Sequence, residues 1–174
     1  MLLVLMRHGI AQELGEVAPA PGEQWPRDAD RALTDLGRRR VRKAALGLKK
    51  IGFRAHAIAH SDLVRARQTA ELVAAAIAPR GTALEVTAAL QPEADPAEFV
   101  RLLPQWRDRK SLLAVGHLPH LDRLVALLCG SGGRQLTEFG KAATLAIEVP
   151  ASGRPAGVLR WYLPPKLLRR LGRP

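Results

Sequence analysis

Two arginines and two histidines in this sequence carry side chains suited to holding and moving a phosphoryl group. Arg7-His8-Gly9 directly follows an apolar run from Met1 to Met6, Arg65 comes four residues after Ser61, and Gly116-His117 closes the apolar run that starts at Leu112. Arginine presents a planar fork of N–H donors that matches phosphate oxygens in pairs. Neutral His8 can attack phosphorus in line and give a phosphohistidine intermediate. His117 can donate a hydrogen bond to the equatorial oxygens, where transition-state charge spreads. Electrostatic clamping of this kind is most of what phosphoryl transfer asks of a protein. A single histidine after a strand is more often structural than catalytic, so the weight rests on the conjunction.

Metal binding is the competing use for histidines. His8, His56, His60, His117 and His120 show no H-E-x-x-H spacing, and the lone Cys129 excludes a CxxC pair. Arginines beside the histidines would repel a cation. A G-x-x-x-x-G-K-[ST] loop is missing as well, which argues against a nucleotide triphosphatase of that type. The expectation is a site with no metal and no cofactor.

These residues need a frame that brings them together. Apolar runs alternate with helical patterns, which predicts an α/β domain. Residues 1–6, 55–60, 82–87, 112–115, 143–149 and 158–162 read as strands. Thr34 is expected to cap a helix from Asp35 to about Ile51, with Leu36, Val41, Ala44, Ala45 and Leu48 facing inward. Arg38, Arg39, Arg42 and Lys43 fall largely on the opposite, solvated face. Ser61 is expected to cap a helix running to about Ala78. A further helix opens at Asp95 or Pro96, and another runs from about Pro119 to Leu128. Residues 10–33, rich in Pro, Gly and charge, read as a long loop of a length more often functional than idle.

The predicted architecture is a three-layer α/β/α sandwich whose sheet is mainly parallel, with an antiparallel strand near the C-terminus. One domain covers 1–163, and 164–174 is a short basic tail, frayed or weakly docked. In open sheets of this class ligands bind at the carboxyl ends of the strands. Three strand ends then deliver both histidines and both arginines to one edge. Amide N–H groups at the helix starts after Ser61 and Pro119 add positive potential there.

The net charge is +11, from 27 Lys and Arg against 16 Asp and Glu. That surplus can gather an anionic substrate or nucleic acid, but an aromatic content of 4% leaves little for base stacking and argues against nucleic acid. Cys129 sits in an apolar run and is expected to be a buried, inert thiol, in keeping with a reducing compartment. No apolar stretch reaches membrane-spanning length. The expectation is a soluble cytoplasmic protein with no membrane partner; oligomeric state leaves no mark on the sequence.

Four segments in fixed order resemble the histidine phosphatase superfamily. Met6-Arg7-His8-Gly9 resembles its RHG signature, and Leu33-Thr34-Asp35-Leu36-Gly37 its LTxxG helix start. Ser61-Asp62-Leu63-Val64-Arg65-Ala66-Arg67-Gln68-Thr69-Ala70 resembles S-x-x-x-R-A-x-Q-T-A, and Val115-Gly116-His117-Leu118-Pro119 the second-histidine motif. Arg-His-Gly-Ile-Ala at 7–11 and the short length resemble the SixA-type phosphohistidine phosphatases in particular. The resemblance implies a phosphoglycerate mutase-like fold and a catalytic core of Arg7, His8, Arg65 and His117, with Gly9, Ser61 and Leu118 around the substrate. Arg67 is not a core position and is expected to face solvent. The implied partner is a phosphorylated protein carrying phosphohistidine, or a small phosphorylated molecule; a binding module without turnover is the rival from another class.

Two departures from the wider superfamily stand out. An Asn commonly found six residues beyond the nucleophile is Leu14 here. The Glu expected after the third strand falls in Leu90-Gln91-Pro92-Glu93-Ala94-Asp95, where Glu93 or Asp95 is the candidate acid. An alkoxide leaving group needs such an acid, whereas the more labile phosphoramidate bond releases an imidazole that can carry its own proton. The reading therefore favours phosphohistidine. His60 is expected to pack behind the site, and His120 to touch substrate or face solvent. Asp30-Arg31 are expected to brace the long loop; Glu13 and Glu16, in that loop, are not assigned to the pocket.

Overall fold

The computed structural model describes residues 1–15, 27–150 and 157–173. The strands are β1 (Leu2–Arg7), β2 (Ala57–His60), β3 (Leu84–Val86), β4 (Ser111–Gly116), β5 (Thr144–Glu148) and β6 (Val158–Leu163). The helices are α1 (Asp35–Lys50), α2 (Val64–Ile77), α3 (Pro96–Leu102), α4 (His120–Leu128) and α5 (Pro165–Leu171). One sheet runs in the order β3-β2-β4-β1-β5-β6. β1, β2, β3 and β4 pair in parallel, and β5 is antiparallel to both β1 and β6. This is the mainly parallel α/β/α sandwich that the sequence predicts.

β1 and β4 are central strands, buried on both faces, which is why both read as unbroken apolar runs. Along β1 the side chains alternate between two cores. Leu3 and Leu5 join Phe99, Leu121 and Leu124 from α3 and α4 on one face. Val4 and Met6 join Val41, Leu48, Ala66 and Val73 from α1 and α2 on the other.

Several local expectations change. In α1 the buried residues are Gly37, Val41, Ala44, Ala45, Gly47 and Leu48, while Leu36 is 42% exposed. Gly37, not Leu36, stands four residues before Val41 on the same face. The Thr34 cap is as predicted, with Oγ1 accepting the Gly37 N–H at 3.0 Å. Ser61 does not cap α2; its hydroxyl accepts the Leu63 N–H at 3.3 Å in a turn, and the helix starts at Val64. Chain past Pro164, expected as a tail, forms α5 and packs Leu168 into the α1 side of the core. Cys129 is half-buried, and burial raises its thiol pKa.

Candidate active site

Strand register places the predicted residues together. Arg7 pairs with Gly116 across β1 and β4, and His60 pairs with Val115 across β2 and β4. The next residues, His8, His117 and Ser61, therefore leave three neighbouring strands at one level. Backbone bonds lock the exits: His8 N–H to Gly116 O and Ser61 N–H to Val115 O, each at 3.1 Å. Arg65, the second residue of α2, rises from the turn after β2.

His8 and His117 face each other with ring centroids 4.9 Å apart. The Nδ1 of His8 lies 2.7 Å from the Gly9 carbonyl oxygen. A carbonyl only accepts, so this nitrogen carries the proton of the neutral ring and Nε2 keeps its lone pair. Burial, aided by His117, Arg65 and Arg7 and opposed by the Gly9 carbonyl, lowers the His8 pKa to about 3. Burial with Arg65, opposed by Asp28, likewise lowers that of His117 to about 3. Both rings are neutral at physiological pH. The His117 ring nitrogens are buried and have no partner among the described residues. The one that carries the proton of the neutral ring is a donor that a bound phosphoryl oxygen would satisfy.

Arg7 donates through Nη1 to the Phe139 carbonyl at 2.8 Å, and its buried Nε has no partner among the described residues. Burial lowers its pKa, and Asp122 opposes that effect. Arg65 is 5% exposed and held from the long loop. Its Nη1 donates to the Asp28 carbonyl at 2.6 Å and its Nη2 to the Asp28 carboxylate at 2.8 Å. The other oxygen of Asp28 accepts from Arg31 Nη1 at 2.8 Å, and Arg31 Nε donates to the Gln12 carbonyl. Burial raises the Asp28 pKa, but the bonds from Arg31 and Arg65 outweigh it and hold the carboxyl below its ordinary value.

Of the residues expected around the substrate, Gly9 offers no free amide, because its N–H donates to Thr69 Oγ1 at 3.0 Å. The Ser61 hydroxyl is used by Asp62 and Leu63. Leu118 packs partly against the α3–α4 core and precedes a cis peptide to Pro119. Asp95 caps α3 by accepting the Ala97 N–H at 2.9 Å, and Glu93 is exposed. Arg67 is exposed and paired with Glu71.

His60 is buried with Nδ1 bonded to the Ser61 carbonyl. His120 is wholly buried, which removes the solvent-facing one of its two expected placements, because α4 turns its first residue inward. Arg31 does brace the loop, whereas Asp30 pairs with exposed Arg27. Glu16 lies outside the described residues. Among the described residues no three His, Cys, Asp or Glu side chains are grouped to hold a metal ion, and no helix is long and apolar enough to cross a membrane.

The structure adds three residues that sequence reasoning assigned no role: Asp28 on Arg65, Thr69 on Gly9, and Asp122 beside Arg7. Thr69 stood in the quoted segment and Asp28 two residues from Asp30. Asp122 left no signal, since only the closed fold brings α4 to Arg7.

Residues 3–94 match the histidine phosphatase superfamily (branch 1). The chain belongs to this superfamily. A relative from Picosynechococcus, itself uncharacterised, is 36% identical over 156 residues, 87% of each chain. The solved protein histidine phosphatase SixA in complex with tungstate is 28% identical with a TM-score of 0.79, covering 95% of this chain and 98% of that one. A structure from Escherichia coli described as a putative α-ribazole-5'-P phosphatase shares the fold, with a TM-score of 0.71 at 18% identity over 93% and 95% of the two chains.

Proposed function

We propose that this histidine phosphatase hydrolyses protein phosphohistidine through a covalent intermediate on His8. The observation that carries the mechanism is the Nδ1 bond to Gly9, which leaves a neutral imidazole with its Nε2 lone pair free. In the first step Nε2 bonds to phosphorus while the bond from phosphorus to the leaving nitrogen breaks, and the imidazole departs with its own proton. Water then attacks phosphorus, the bond to His8 breaks, and phosphate leaves. Arg7, Arg65 and His117 hold the equatorial oxygens through both steps.

The preference for phosphohistidine rests on the acid. Glu93 is exposed and Asp95 spends a carboxylate oxygen on the α3 cap. Neither makes a bond to His8, His117 or the arginines among those described. An imidazole leaving group tolerates this arrangement better than an alkoxide does. The likeness to the protein histidine phosphatase SixA supports the same reading. A cytoplasmic, metal-independent enzyme belongs to this proposal.

The test is rapid-quench turnover of a phosphohistidine protein and of phosphate esters, with wild type and His8→Ala and with chelator present. Acid-labile label on wild-type protein and loss of turnover in the variant are expected. Undiminished turnover by His8→Ala removes the mechanism. Faster turnover of esters assigns the chain to small-molecule phosphomonoesterases, and tight binding without turnover makes it a binding module.

A further inference from the structure

Asp28 is the acidic group bonded to the phosphate clamp, and its placement bears on which leaving groups the site accepts. His8, His117 and Arg65 form the floor of the site, at 7%, 2% and 5% exposure. The Asp28 side chain is 49% exposed while it touches Arg65 Nη2 at 2.8 Å. Its carboxylate therefore stands between the clamp and solvent. Its charge also reaches His117 in the site, so a leaving group expelled in line from the buried His8 departs within the field of this carboxylate.

We infer that Asp28 is a specificity-determining residue, which disfavours anionic leaving groups and favours neutral or cationic ones. The inference rests on the phosphatase reading and names a substrate class for it. Two electrostatic effects share one sign. The carboxylate repels an anionic leaving group directly. It also offsets the charges of Arg31 and Arg65, which would otherwise attract one. A neutral imidazole passes without this penalty, whereas an acid-bearing alcohol such as a hydroxy acid does not. A unit charge acting at leaving-group distance through a partly hydrated mouth changes rates by about tenfold.

Three aryl phosphates of matched size read this directly: 4-(aminomethyl)phenyl, 4-carbamoylphenyl and 4-carboxyphenyl phosphate. Wild-type kcat/KM is expected to fall in that order. Asp28→Asn keeps an oxygen for Arg65 and removes the charge, and should narrow the cation-to-anion ratio about tenfold. Asp30→Asn removes an exposed charge paired with Arg27 and should leave the ratio unchanged. Because each variant is judged on a ratio, a general loss of folded enzyme does not move the result. The matching benzylphosphonates, ranked by calorimetric dissociation constants, give the same ratio without turnover.

An unchanged ratio in Asp28→Asn overturns the inference. Failure to prefer phosphohistidine over esters removes the proposed substrate instead, and leaves the charge series readable.

Discussion

The Gly9 N–H donates to Thr69 Oγ1 at 3.0 Å, and that hydroxyl donates onward to the Arg65 carbonyl at 2.7 Å. One buried threonine thus ties the loop carrying the nucleophile to the helix carrying the phosphate clamp. Thr69→Val keeps the shape and strands the Gly9 amide, at about 1–3 kcal/mol. His8 then loses its register with Arg65, and kcat/KM should drop by about tenfold or more, since small misplacements near the chemistry are costly. Thr69→Ser should retain most of both. Denaturant melts and steady-state kinetics check this; a valine variant equal to wild type in both would refute it.

Stability should fall on the acid side because of the same histidines. The pKa values of His8 and His117 are lowered to about 3 in the folded chain, and that of His120 to about 4. Unfolded, each returns to about 6.5. Between these limits the unfolded chain binds protons that the folded chain refuses, so stability is complete above about pH 6.5 and declines as pH falls towards 3. Melting temperatures over that window should show a shallower slope in His8→Asn/His117→Asn than in wild type. Equal slopes would mean the two rings protonate freely in the folded protein.

Much of this site could be read before folding, for a physical reason. Parallel strands buried on both faces leave long apolar runs, so their ends are visible, and His8 and His117 each stand one residue past such an end. What could not be read depends on contacts distant in sequence. The Asp28–Arg65 ion pair spans 37 residues, and no local pattern announces it. The wholly buried His120 depends on which way the first turn of α4 faces. Leu36 misled because an apolar residue at a helix start is counted into the stripe unless the glycine beside it is recognised as the packing position.

That glycine supports a sharp prediction. A Cβ on Gly37 would lie 2.1 Å from the Ile10 carbonyl oxygen. Ile10 also accepts the Thr34 N–H at 3.0 Å, so the α1 start is pressed against the chain leaving the nucleophile loop. Backbone cannot yield as a flexible side chain does. Gly37→Ala should therefore cost more than the ~1–3 kcal/mol of ordinary overpacking and reduce phosphatase activity with it. Gly52→Ala, where a Cβ meets nothing within 4 Å, is the comparison, although its φ of +78° carries its own strain. A Gly37→Ala protein with a wild-type melting point would contradict the packing argument.

The C-terminal residues should behave as part of the folded unit. Leu168 is fully buried, and its carbonyl lies where a Cβ on Gly47 of α1 would sit, at 2.2 Å. Gly172 meets the Lys43 carbonyl as closely, at 1.9 Å from its own would-be Cβ. Lys50 Nζ donates to the Arg173 carbonyl at 2.6 Å. Two glycines let α1 and α5 approach at backbone distance, so the leucine fills a slot that water cannot enter. Leu168→Ala should cost about 2–5 kcal/mol, and a chain stopped after Leu163 should lose at least as much. Leu168 lies outside the His8–His117 site, so kcat of folded Leu168→Ala should stay near wild type at low temperature. Equilibrium unfolding of both variants decides the matter: an unchanged midpoint in the shortened chain would make these residues an appendage to a domain ending at Leu163.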